Sequence, residues 1–223
     1  FSGCGGTSSG LRSVGFDIVG AIDVDSDATR TFSKNFPLSH VIMDDIRSLR
    51  EEQIEYMVDD QDVMLISGCA PCQPFTSQLT SKPDNDPRRN LLLEFLRFIQ
   101  YYHPDFILVE NVPGIQRDNG PENLSPFSTF VREIRSLGYF VDFKVIRAMD
   151  FGVPQCRRRL VLLASLVSDI YIPQPTHGTD LLPYSTVKDF IFGLPPIAAG
   201  ETHIEDPDHQ AARLSPLNLQ RIR

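Results

Sequence analysis

The chain has 223 residues, 41% of them hydrophobic and 22% charged, with no Trp and a formal net charge of −8 at pH 7. That length suits one large domain or two small ones, and no apolar run reaches the roughly 20 residues that a membrane span requires. Cys4, Cys69, Cys72 and Cys156 are too few for a disulfide-built scaffold and favour a reducing intracellular compartment. The acidic balance argues against a uniformly basic nucleic-acid coat but leaves room for a local basic cleft. Nothing resembles a signal peptide. The chain opens on Phe1 rather than Met and ends on LNLQRIR, so it reads as an internal fragment.

The opening FSGCGGTSSG is a Gly-rich turn, of the kind that follows a strand, expected here just before Phe1. Gly3, Gly5 and Gly6 would let backbone amides approach a ligand, although Ser8 breaks the strict G-x-G-x-x-G spacing. A short buried strand is expected over residues 16–23, and its last residue, Asp23, could accept hydrogen bonds from a ribose diol. A polar helix over about 25–36, closed by Pro37, leads to a second strand at 41–43 ending in Asp44 and Asp45. A Gly-rich turn with a carboxylate at the next strand end favours a nucleoside cofactor. It does not choose between a dinucleotide and S-adenosylmethionine.

A third strand over 62–68 runs into SGCAPCQPFT, where Cys69 and Cys72 form a literal C-x-x-C. That spacing admits a redox pair, a metal knuckle or a single nucleophile. Zinc needs a second ligand pair, and His40, His103, His177, His203 and His209 with the remaining cysteines show no such spacing. Residues 90–102 carry apolar side chains at 91, 92, 95, 96 and 99, one helical face. The strand at 106–111 bears Glu110 at its tip, where mere solvation is a poor reason for a carboxylate. A helix over 126–137, ended by Gly138, precedes strands at 139–146 and 160–165. Before the last strand stands PQCRRR, in which Arg157 and Arg159 alternate and so could point to one face.

Near-continuous apolar strands separated by helices predict an open α/β sheet covered on both faces, with ligands beyond the carboxyl ends of its strands. The texture turns Pro-rich after about residue 170. The expected division is a catalytic core at 1–168, its first strand incomplete, and an extension at 169–223.

Four blocks in this order carry a resemblance: Phe1-Ser-Gly-Cys-Gly-Gly6, Pro71-Cys-Gln-Pro-Phe75, Glu110-Asn-Val112 and Gln155-x-Arg157-x-Arg159. With RNLLLEFLRFI and AMDFGVPQ between them, residues 1–166 resemble the cytosine-C5 DNA methyltransferase family. The resemblance implies a Rossmann-like S-adenosylmethionine-dependent fold, mostly parallel, with helices on both faces. It implies Cys72 as the thiolate that adds to cytosine C6. Glu110 would bind N3 and the exocyclic amine, and burial would keep its carboxyl protonated near neutrality. Arg157 and Arg159 would steady the base carbonyl, and Gln155 the polar network around it.

For the cofactor, S-adenosyl-L-methionine, the resemblance implies contacts from Phe1, Ser2, Gly3, Cys4, Gly5 and Gly6. It adds Asp23 and Val24 at the ribose, Asp45 and Ile46 at the adenine, and Pro71 and Leu92 nearby; no metal is implied. The implied partner is duplex DNA with the target cytosine flipped out, at a cost of a few kcal/mol. No membrane is involved, and a monomer is expected, in the cytoplasm of a bacterium or the nucleus of a eukaryote. The family's last conserved segment and its target-recognition region are not found, the latter being expected after about residue 223. The isolated chain is therefore expected to be weakly active or inactive.

The same fold and nucleophile serve a tRNA-methylating branch, the nearest alternative. A thiol–disulfide oxidoreductase would use Cys69 and Cys72 but leave Gln73, Pro74, Glu110, Gln155 and Arg157 without a task. A catalytically silent binding module is the third reading.

Overall fold

The computed structural model describes residues 1–58, 63–71, 87–117 and 124–222. Its first helix, α1 (Gly6–Ser13), rises from what the sequence presents as a turn. GTSSGLRS is a weak helix former, and contacts outside the helix fix it. Arg12 donates to the Asn35 carbonyl at 2.7 Å and stacks 4.4 Å from the Phe36 ring centroid.

Strand β1 (Gly20–Asp23), α2 (Ser26–Asn35) and β2 (His40–Met43) form a parallel crossover unit. Asp25 caps α2 by accepting from the amides of Asp27 and Ala28, and Phe32 and Phe36 close the unit against Ala21. Strand β1 is shorter than the apolar run suggested. Phe16 and Val19 are exposed, and pairing with β2 begins only at Gly20.

The second sheet holds β3 (Leu65–Gly68), β4 (Phe106–Asn111), β5 (Phe140–Arg147) and β6 (Arg158–Ser165), in the order β3-β4-β6-β5. Its helices are α3 (Leu91–Tyr102) and α4 (Pro126–Ser136), the latter opened by Ser125 at the cap and Pro at its first position. His103, in the left-handed region, ends α3 just before Pro104.

This sheet is mixed, where the resemblance implied one that is mostly parallel. β3 and β4 are parallel, but β6 runs antiparallel to both β4 and β5. The reason lies in the link between β5 and β6, only residues 148–157. A parallel return needs a crossover of a dozen or more residues.

One face of the sheet is the core. Ile107, Val109, Leu160, Leu162 and Ala164 are buried against Leu92, Phe95, Ile99, Phe130 and Ile134 of the helices. The opposite face, with Leu108, Val161 and Leu163, is only half-buried, so among the described residues full cover is on one face. Beyond β6, the described chain forms α5 (Val187–Ile191) and α6 (Pro216–Ile222) with isolated bridges, much of it exposed. It is tied back where Ile172 donates to Asp142 and Thr176 and His177 donate to the Asp150 carbonyl.

Tyr139 locks α4 to the turn before β4, its hydroxyl donating to the Pro104 carbonyl at 2.7 Å. Burial, with Asp105 nearby, pushes this phenol up to about 12. The folded value lies above that of the unfolded chain, so this stability is intact below pH ~10 and lost as pH rises toward ~12. Tyr139→Phe should destabilise the fold by about 1–3 kcal/mol in urea unfolding at pH 7, because it orphans a buried carbonyl. It should also flatten the decline in stability between pH 10 and 12; an unchanged alkaline slope would contradict the assignment.

Candidate active site

Strand direction decides where polar residues meet. β3 and β4 are parallel, so Gly68 and Asn111 end at the same edge of the sheet. β6 is antiparallel, so its first residues lie at that edge too. The register pairs Glu110 with Val161 and Asn111 with Leu160, which leaves Arg159 just past the last pair. There Arg159 Nε meets Glu110 Oε1 at 2.6 Å, with the side chains 22% and 36% exposed. An ion pair this open is worth only about 0–1 kcal/mol of stability, so its effect is to hold both groups in place. Glu110 is thus only half-buried in this structure.

Gln155 and Arg157 are exposed. Their loop is closed by backbone bonds from Gln155 N to the Val153 carbonyl and from Ala148 N to the Arg157 carbonyl. Only Arg159 of this segment is brought onto Glu110.

Asn111, beside Glu110 in the Glu110-Asn-Val112 block, has a distinct structural task. Its side chain is 1% exposed, donates to the Ala70 carbonyl at 3.0 Å and accepts from Val112 N at 2.9 Å. The segment that leads through Pro71 to Cys72 is thereby anchored one residue from Glu110. Cys72 itself lies outside the described residues, as do Gln73, Pro74 and Phe75.

Cys69 is described and half-buried. Its sulfur is 3.6 Å from Thr7 Oγ1 and lies beside the Glu110 backbone, and burial pushes its thiol above the ordinary range. A thiol held protonated is a poor attacking group, which disfavours Cys69 as half of a redox couple. It instead links α1 to the ends of β3 and β4.

The Gly-rich opening turn is held at the end of β1. Phe1 and Ser2 donate their nitrogens to the Ile22 carbonyl, and Gly3 N donates to Asp23 Oδ2 at 2.8 Å. Asp25 N donates to the other oxygen, Oδ1, at 3.0 Å. Gly5 has φ 91° and lies so close to α2 that a Cβ would meet Phe36 at 2.5 Å; no other residue fits. Cys4 and Gly6 are exposed, as is Val24. The Ser2 hydroxyl is buried and finds no hydrogen-bond partner among the described residues, and such orphans mark missing polar company.

Asp45 is gripped by Arg47, whose Nε lies 2.9 Å from Oδ1 and Nη2 2.5 Å from Oδ2. These bonds hold its carboxyl down at about 2. Ile46 is buried in a cluster with Leu49, Leu91 and Phe98, and Leu92, 1% exposed, packs in the core. Among the described residues no group of three or more His, Cys, Asp or Glu could hold a metal ion, and no helix is long and apolar enough to cross a membrane.

A Gly-rich opening turn held on Asp23 at the end of β1 and a Glu–Arg pair at the sheet's polar edge place the polar groups of this α/β fold beyond its strand ends. The chain belongs to the C-5 cytosine-specific DNA methylase family, whose sequence model matches residues 1–196. It is 35% identical over 222 residues to the Type II methylase M.HgiDII of Herpetosiphon aurantiacus, covering 100% of this chain and 61% of the relative. Against the Type II methyltransferase M.AquIA of Picosynechococcus it is 32% identical over 243 residues, covering 100% and 95%. A solved structure described as a DNA modification methyltransferase encoded within an E. coli prophage superposes with a TM-score of 0.74 at 30% identity. That match covers 91% of this chain and 56% of the other. The chain thus spans little more than half the length of the prophage-encoded structure and about three-fifths of M.HgiDII.

Replacing Asn111 by Ala should cost on the order of 1–3 kcal/mol for each buried group left without a partner, here the Ala70 carbonyl and the Val112 amide. Urea unfolding of Asn111→Ala beside the parent measures it, and a difference below about 0.5 kcal/mol, the usual range of surface changes, would remove this anchor from the account.

Proposed function

We propose that this chain is the catalytic part of a DNA (cytosine-5) methyltransferase. It would move a methyl group from S-adenosyl-L-methionine to C5 of a cytosine flipped out of duplex DNA. Residues 1–168 are the Rossmann-like catalytic core in this reading and 169–223 the extension. The observation that carries it is the Glu110–Arg159 pair at the sheet edge to which Asn111 also ties the segment entering Cys72. One chain supplies the whole pair, so a monomer suffices. The Type II names of the relatives favour a role in restriction-modification.

The residues present fit the cofactor. Asp23 retains acceptor capacity for a ribose diol beside the two amides it already holds. The buried, partnerless Ser2 hydroxyl would gain a polar partner, and Phe1, Gly3, Cys4, Gly5 and Gly6 line the same turn. Asp45 and Ile46 would flank the adenine, with Val24 and Pro71 nearby, while Leu92, 1% exposed in the core, would support the site from behind rather than touch the cofactor. When bound, S-adenosylmethionine supplies an electrophilic methyl group.

The chain's own groups do the rest. The Cys72 thiolate forms a bond to C6, and the electrons of the C5–C6 double bond make C5 nucleophilic. Glu110 holds N3 and the exocyclic amine, and a proton taken up from solvent and shared between its carboxyl and N3 offsets the negative charge that builds on the ring. Arg159, fixed on Glu110, and Arg157 steady the carbonyl of the base, with Gln155 ordering the network. After C5 is methylated, loss of its proton and departure of the Cys72 sulfur restore the double bond.

Incubation with labelled S-adenosylmethionine and equal amounts of duplex DNA and tRNA tests this, the partition of label being the readout rather than the rate. Label should enter cytosine C5 of DNA, disappear with Cys72→Ser, and fall by on the order of 10²-fold with Glu110→Gln. Label in tRNA, or retained by Cys72→Ser, would contradict the proposal.

A further inference from the structure

Arg97 interrupts an otherwise apolar run on α3, between Leu96 and Phe98. Its side chain is only 27% exposed, and all three guanidinium nitrogens donate. Nε donates to Glu94 at 3.1 Å and Nη1 to Glu51 at 2.5 Å. Nη2 donates to the carbonyls of both Ile46 and Leu49, the latter at 2.6 Å. Its Cζ stands 4.5 Å over the Phe98 ring centroid. Tyr102, further along the same helix, donates to the Glu51 carbonyl at 2.5 Å.

The segment held in this way is the one that follows β2. Ile46 and Leu49 are buried against Leu91 and Phe98 of the same helix, and Asp45 is clamped by Arg47 from within the segment. An Arg presents a rigid fork that can serve two carbonyls and two carboxylates at once; a Lys, with one ammonium, cannot.

We infer that Arg97 is a positioning residue that shapes the adenine end of the cofactor site by fixing Asp45 and Ile46 against α3. This rests on the cofactor reading above. The purine amine is a donor and the ionised Asp45 carboxylate an acceptor, so a segment held in register would prefer a 6-amino purine over a 6-oxo purine. Once the two carbonyls are released, affinity and that preference both fall, while the Asp23 end of the site is untouched.

Calorimetric titration with S-adenosylhomocysteine and with S-inosylhomocysteine, on the parent, Arg97→Met and Arg97→Lys, tests this. The parent should bind the adenosyl compound and prefer it. Arg97→Met should weaken adenosyl binding by about tenfold, the order of effect of losing one well-made polar contact, and erase most of the preference. Arg97→Lys keeps the positive charge beside Glu51 and guards against a Met variant that fails to fold; it should also lose preference. A parent that binds neither compound would overturn the cofactor reading and this inference together. Folded variants that keep both affinity and preference would overturn the role of Arg97 alone.

Discussion

The antiparallel pairing of β4 with β6 governs how the site is built. Because the two strands run in opposite directions, the end of one and the beginning of the other share an edge, and the register fixes how far each projects. Glu110 opposite Val161 and Asn111 opposite Leu160 leave Arg159 as the next residue out, within reach of the carboxylate. Alternation along β4 separates the tasks. Ile107, Val109 and Asn111 face the helices, while Glu110 is on the half-open face. A slip of one residue would bury the carboxylate and expose the core face, so the packing of Leu160 and Leu162 under α3 and α4 also enforces the geometry of the polar pair.

The turn that would hold the cofactor rests on close approach rather than on charge. Gly5 lies where a Cβ would strike Phe36, so the opening turn is pressed onto α2 and its amides are directed at Asp23. Thr7 and Cys69 then join α1 to the ends of β3 and β4. These contacts connect the turn that would hold a nucleoside to the edge that would hold a base.

Much of this was legible in the sequence because it is periodic or punctuated. The apolar face at 91, 92, 95, 96 and 99 marked α3, Gly138 marked the end of α4, and the strand ends marked Asp23 and Glu110. What was not legible depends on the partner chosen by a strand or a loop. The reversal of β6 follows from the short 148–157 link, which the apolar runs on either side do not reveal. Helix α1 forms despite two glycines and three serines because Arg12 and Gly5 dock it on α2. The burial of Leu92 and the exposure of Arg157 are likewise tertiary outcomes. Arg97 left a trace, a charged residue within an apolar helical run, but its carbonyl partners are some 50 positions away. The C-x-x-C spacing proved a weak guide, since burial holds the Cys69 thiol up and its contacts belong to α1 and β4.

The central claim is that Cys72 attacks a cytosine held by Glu110 and Arg159. Duplex DNA of randomised sequence carrying 5-fluorocytosine blocks the final proton loss, so turnover with S-adenosylmethionine should leave a covalent complex. Mass spectrometry of the digested complex should find the DNA adduct on the peptide containing Cys72, absent from Cys72→Ser and strongly reduced in Glu110→Gln. An adduct on Cys69, or one retained by Cys72→Ser, would contradict the account.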